Sequence, residues 1–146
     1  MSQENVDLLM SLVARGEGVD IAQGLQNDDL WAATVEVFAP HLHPAFETVV
    51  RGGPVGDQTF AGLDGFRAFW LDWLAPYATY RQKIDKAIDL GEAVLLLIRD
   101  FGRLQGSVEE IQGNHAAVWT VRAGKITRAE FYADRTDALK AVGVEG

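Results

Sequence analysis

The 146-residue sequence contains no cysteine. Disulfides, thiolate nucleophiles and cysteine-ligated zinc are therefore excluded. No apolar run approaches the ~18 residues of a membrane-spanning helix. Cationic residues are scarce, with 13 Lys and Arg against 21 Asp and Glu and a net charge of -8. That balance opposes binding to nucleic acid or anionic membrane, which takes clustered Lys and Arg. The opening stretch MSQENVDLLMSLVARGEG has no cationic lead before its apolar stripe, so it does not read as a secretory signal. Glycine-rich phosphate loops, Gly-x-Ser-x-Gly elbows and His-Glu-x-x-His are all missing. The expectation is a cytoplasmic protein with no metal and no organic cofactor.

What is present reads as one globular domain over residues 1–146. Apolar residues make up 48% and charged residues 23%, enough apolar surface to build a core at this length. Val6, Leu9, Met10 and Val13 fall at helical spacing, with Gly16 and Gly18 after them. VDIAQGL adds a short helical piece. Asp28 is the candidate N-cap of a helix through Leu30, Trp31, Val35 and Phe38 to Pro40. Phe46, Thr48, Val49 and Val50 favour a strand, broken at Gly52, Gly53 and Pro54. Asp64 is the candidate N-cap of GFRAFWLDWLA, whose apolar face is Phe66, Phe69, Trp70, Trp73 and Leu74.

From Tyr80 onward the period is nearer two. YRQKIDKAIDL, AVLLLIRDFGRLQG, SVEEIQGNHAAVWTV and KITRAEFYA read as strands, the second bent or bulged at Gly102. The turns are Gly91-Glu92 and RAGK. Asp134 caps a closing helix with Ala138, Leu139 and Val142 inside and Gly143 at its end. AVLLLI is apolar on both faces, so both faces of the sheet need cover. With helices covering one face, a second copy of the chain would cover the other, giving a homodimer through the outer sheet face. The class is α+β: a curved, mostly antiparallel sheet wrapped over about three N-terminal helices, with a short C-terminal helix. A conical cavity between sheet and helices is the default ligand site.

VWTVRAGKITRAEFYADRTDALKAVG resembles the C-terminal hairpin and helix of SnoaL-like proteins, in the nuclear transport factor 2-like (ketosteroid isomerase-like) superfamily. AGLDGFRAFWLDWL, AVLLLIRDFGRLQGSVEE and FAPHLHPAFETVV resemble its third helix, its long central strand and its first strand. The resemblance runs from about Trp31 to Gly143 and implies the cone-shaped fold. It also implies the range of that superfamily: isomerases, cyclases, epoxide hydrolases, dehydratases and ligand carriers.

The acids that the resemblance would require are missing. The isomerase base falls near Gly53, and the oxyanion aspartate near Ala117. The last-strand aspartate of epoxide hydrolases and polyketide cyclases falls at Phe131. Arg99 matches the hydrolase bridging arginine, but that arginine's partner aspartate falls at Phe101, with Asp100 adjacent. The candidate catalytic pair is then His115 as acid or base, with Arg99 as its electrostatic partner. Alternatively, His115 satisfies a backbone group and Arg99 pairs with a carboxylate. Candidate ligand-binding residues are Trp31, Phe38, Trp70, Trp73, Tyr77, Phe101, Trp119 and Phe131, which suit an apolar, polycyclic or terpenoid-like molecule. Glu47 with Arg51, and Arg128 with Glu130, read as solvated outer-face groups. His41 and His43 form a His-x-His pair with no evident third ligand. The leading expectation is binding of a hydrophobic small molecule. The others are a cofactor-independent isomerase, polyketide cyclase or epoxide hydrolase-type enzyme, and a structural or partner-binding module with a filled cone.

Overall fold

A computed structural model describes residues 2–13, 20–52 and 56–144. Gly16, Gly18, Gly53 and Pro54 lie outside them. The elements are α1 (Ser2–Val13), α2 (Ile21–Gln26), α3 (Asp28–Phe38), a 3-10 turn (Ala39–His41), β1 (Leu42–Arg51), β2 (Gln58–Ala61), α4 (Gly62–Leu74), β3 (Tyr77–Asp89), β4 (Ala93–Leu104), β5 (Glu110–Arg122), β6 (Lys125–Tyr132) and α5 (Arg135–Val142). The six strands form one curved, unclosed sheet in the order β2-β1-β6-β5-β4-β3. Only β1 and β6 pair in parallel.

Local chemistry sets the helix starts. Asp20 caps α2 by accepting from the Ala22 N–H. Asn27, not Asp28, caps α3, accepting from the N–H groups of Asp29 and Leu30. Both residue types cap well; Asn27 wins because its side chain sits one residue before the first helical turn. Asp28 is then free to pair with Arg67 at 2.9 Å. Similarly, α4 begins at Gly62, before the expected cap Asp64, and Ala61 supplies no side-chain cap. Asp64 lies in the first turn, where a carboxylate complements the helix dipole. Asp134 caps α5 through the Thr136 N–H, and Gly143 ends it in the left-handed conformation.

Alternation along β4 and β5 separates two cores. Val94, Leu96, Ile98, Ala117 and Trp119 face the N-terminal helices with Phe69, Trp70 and Phe131. Leu95, Ala116, Val118 and Tyr132 face the other way, against Ala138, Leu139 and Val142 of α5. The two-sided apolar strand thus finds its second cover within the chain. That cover is α5, the closing helix with Ala138, Leu139 and Val142 inside, so the apolar run does not by itself call for a second copy.

Two further differences concern the sheet. β2 was not apparent in the sequence; it is a four-residue edge strand paired to β1. The irregularities beside β4 lie on β3, between Tyr77 and Thr79 and between Ile84 and Lys86, whereas β4 pairs with β5 continuously through Gly102. Gly102 is instead a place of close approach. A Cβ there would lie 2.4 Å from the Tyr77 ring. The RAGK turn closes with positive φ at Ala123 and Gly124, the geometry of a two-residue hairpin turn.

Candidate functional site

Between the inner sheet face and α1–α4 lies a cavity of about 380 Å³. Phe66 and Trp70 enter it one helical turn apart on α4. Trp31 and Phe38 enter from α3, Trp119 from β5 and Phe131 from β6. Among the described residues, only Asp20, Thr34 and Gln82 bring polar side chains to the wall. Leu30 and Ala33 line the cavity and are also exposed, so it reaches the surface beside α3.

The sequence candidates divide cleanly. Trp31, Phe38, Trp70, Trp119 and Phe131 border the cavity; Trp73, Tyr77 and Phe101 do not. Phe101 stands on the outer sheet face, where the Arg81 guanidinium lies 5.4 Å from its ring centroid. Tyr77 packs against Tyr80 and over Gly102. Trp73 stacks on His115, ring centroids 5.3 Å apart.

His115 and Arg99 do not meet. His115 is fully buried on the inner face, cross-strand from Ile98. Arg99 shares the outer face with Leu97 and contacts Asp85 at 3.3 Å. Neighbouring strand residues face opposite ways, so on β4 the inward residue is Asp100. The His115 Nδ1 lies 2.8 Å from Asp100 Oδ1 and 2.9 Å from Oδ2. The hydrogen bond is aligned on Oδ2, leaving Oδ1 without a well-placed donor. Trp70 and Phe131 stand between the cavity and the imidazole, with centroids 6.5 and 6.4 Å from it.

Tyr80 completes this buried group. Burial first, and the Asp100 charge second, hold its hydroxyl far above the usual tyrosine range. Asp100 and the Trp73 indole are its polar neighbours, yet no bond to either is well aligned. His115 Nε2 and Gln82 Oε1 are likewise buried without partners among the described residues. An imidazole oriented by a carboxylate is the arrangement that lets the second ring nitrogen take or give a proton.

Residues elsewhere have structural partners. Arg128 donates to Glu47 and Arg51 to Glu130 and Asp57, all at 3.0 Å or a little more, on the outer face. Arg135 donates to Asp85 at 2.8 Å, and that hydrogen bond is the main cause holding the Asp85 carboxyl below the usual range. His43 Nδ1 accepts from the Ala45 N–H, and His41 lies in the 3-10 turn. No group of three His, Asp or Glu is placed to hold a metal ion among the described residues. Ala117, where an isomerase would carry its oxyanion aspartate, is fully buried and faces the helices. The isomerase base position near Gly53 lies outside the described residues.

A family model for the SnoaL-like domain matches residues 22–129. The chain belongs to this family. The SnoaL-like domain here is similar in structure to a protein described as a SnoaL-like polyketide cyclase from Jannaschia sp. CCS1. The TM-score is 0.66 and the identity 14%, over 99% of this chain and 94% of that one. It is similar to TerC, co-crystallised with polyporic acid, with TM-score 0.63 and 19% identity over 95% and 98% of the two chains. A protein of ketosteroid isomerase-like fold from Catenulispora acidiphila DSM 44928, in complex with trimethylamine, gives TM-score 0.56 and 16% identity over 85% and 89%. At these identities the likeness establishes the fold. No curated protein matches the sequence.

Three members of the site escaped sequence reasoning, each with a signal that could have found it. Phe66 stands four residues before Trp70 on one helical face. Gln82 alternates with Tyr80 and Ile84, both apolar and inward. Asp100 alternates with Ile98 and Gly102, which a continuous β4 places inside.

Proposed function

We propose that this SnoaL-like domain binds a hydrophobic small molecule in the cavity between α1–α4 and the sheet. The observation that carries this reading is the wall itself: about 380 Å³ bordered by apolar side chains, with polar groups from only three of the described residues. That volume lies in the range of small-ligand sites, which are mostly apolar with a few orienting polar groups. Related folds hold small organic molecules, as the polyporic acid and trimethylamine complexes illustrate. A module with a filled cone is the reading this volume disfavours. Titration with phenanthrene, a rigid apolar tricycle, tests the proposal. Trp31, Trp70 and Trp119 border the cavity, so tryptophan emission should quench saturably. Emission that stays flat up to the solubility limit rejects it.

The buried imidazole supports a second reading, a cofactor-independent isomerase, cyclase or epoxide hydrolase-type enzyme. In it His115 moves the proton and Asp100, in place of Arg99, orients it. Turnover of an enone or epoxide that disappears in His115→Phe would establish this; turnover unchanged by that substitution would remove His115 from the chemistry.

A cytoplasmic homodimer completes the proposal. No described helix is long and apolar enough to cross a membrane. Beyond α5 the outer sheet face carries Arg81, Lys83, Arg99 and Arg103 beside Asp85 and Glu110, with Arg81–Glu110 and Arg99–Asp85 paired within the chain. Light scattering at twice the chain mass supports the dimer, and scattering at the chain mass opposes it.

A further inference from the structure

Two polar side chains reach the sheet end of the cavity among the described residues. Asp20 lines the cavity and presents a carboxylate, its Oδ1 held by the N–H groups of Ala22 and Tyr80 at 3.1 Å. Gln82 follows on β3, also in the wall, with Oε1 buried and unpartnered among the described residues. Directly across from Gln82 on β4 stands Asp100, with Oδ1 lacking an aligned donor. His115 binds Asp100 through Nδ1, and its Nε2 is unpartnered. One carboxylate and one amide oxygen therefore reach the wall at this end, and the His115–Asp100 pair lies behind it, outside the lining.

No Lys or Arg lines the cavity among the described residues. The Arg67 guanidinium lies 5.4 Å from the Trp31 ring centroid, and it is committed to the Leu25 carbonyl and Asp28. His115 is committed to Asp100 on one side. An anionic ligand would meet the Asp20 carboxylate in a poorly screened space. A cation would meet the Asp20 carboxylate, the Gln82 amide oxygen and the faces of Trp31, Trp70, Trp119 and Phe66, which attract positive charge.

We propose that the cavity selects apolar ligands bearing a protonated amine, placed toward Asp20 and Gln82, and rejects carboxylates of the same shape. This rests on the small-molecule reading above and adds the ligand's charge and its orientation.

The test is isothermal titration calorimetry at neutral pH with four compounds of one shape: biphenyl-4-ylmethylamine, biphenyl-4-ylmethanol, 4-methylbiphenyl and biphenyl-4-carboxylate. The amine should bind at least about tenfold more tightly than 4-methylbiphenyl, with the alcohol between them. The carboxylate should bind more weakly than 4-methylbiphenyl. Asp20→Asn keeps an acceptor for the Ala22 N–H while removing the charge, so it should erase most of the amine's advantage and leave 4-methylbiphenyl unchanged. Asp100→Asn should reduce that advantage further.

A carboxylate bound as tightly as the amine overturns the proposal. So does an amine no tighter than 4-methylbiphenyl, and so does an advantage that survives both substitutions. In those cases 4-methylbiphenyl still binds and the small-molecule reading stands. If none of the four binds, the small-molecule reading itself fails and takes this inference with it. The wild-type panel is decisive even if a variant does not fold.

Discussion

The imidazole of His115 and the carboxylate of Asp100, on adjacent strands, lie 2.8–2.9 Å apart inside a shell of aromatic rings. His115 is buried and Asp100 largely so, with side-chain exposures of 1% and 14%. Removing one partner strands the other. His115→Phe conserves bulk but leaves the carboxylate with no strong donor, and a broken buried pair costs about 3 kcal/mol or more. For a chain of this size that is a loss of roughly 10 °C in Tm. Asp100→Asn still offers Nδ1 an oxygen acceptor, so its cost should be nearer 1 kcal/mol. Urea unfolding of both variants checks the order; two small and equal losses would mean that the pair is not coupled in this way.

Tyr80 should make the fold sensitive to alkali. An unfolded tyrosine loses its proton near pH 10, while burial and the Asp100 charge keep the native Tyr80 protonated well beyond that. Above pH 10 the unfolded state binds fewer protons than the native state, so stability falls as pH rises. This one group contributes a slope of up to about 1.4 kcal/mol per pH unit. Its stabilisation is fully present below pH 10. Tyr132 shifts in the same direction, burial first, and adds to the slope. Tyr80→Phe should therefore lose less stability than the wild type when urea unfolding at about pH 9 is compared with that at about pH 11. Parallel losses in the two proteins would contradict the assignment.

These two predictions centre on residues of unequal legibility. His115 was readable because it shares strand parity with Ala117, Trp119 and Val121, and the structure places all four inside. Its partner was not readable, because parity along β4 depends on which face AVLLLI presents. That stretch is apolar on both faces, so it carries no phase information. Expecting Arg99 and Phe101 to reach the site is therefore off by one position: both stand on the outer face, and Asp100 faces in. The overall order of elements survived because the helical stripes and the RAGK turn are local signals. The second cover of the sheet was harder to see. It depends on where α5 folds back, and Ala138 or Leu139 carries no information about that until the chain is closed.

Gly102 should resist substitution for a reason specific to Tyr77. Glycine inside a strand is ordinarily a weakness, so alanine would be expected to help. Here the added Cβ would meet the Tyr77 ring at 2.4 Å. Gly102→Ala should destabilise by about 1–3 kcal/mol, the usual range for overpacking. In a Tyr77→Ala background the same change should become neutral or favourable, a coupling that a double-mutant cycle measures. A Gly102→Ala cost that persists without the Tyr77 ring would point to the backbone instead.

Gly24 offers the reverse case. It sits within α2 and borders the cavity, and a Cβ there would meet no atom within 4 Å. Gly24→Ala should stabilise the helix by about 0.5–1 kcal/mol and leave the cavity open. Gly24→Leu should keep that gain and add apolar contact with the cavity wall while occupying space that a ligand needs. Its Tm should rise by a few degrees, at roughly 2–4 °C per kcal/mol, and quenching of tryptophan emission by phenanthrene should be lost. The alanine variant separates the two effects, since it should gain stability and still quench. If Gly24→Leu is more stable and still quenches with unchanged affinity, the ligand binds somewhere other than this cavity. If instead the leucine is destabilising, α2 packs closer to the sheet than its open wall implies.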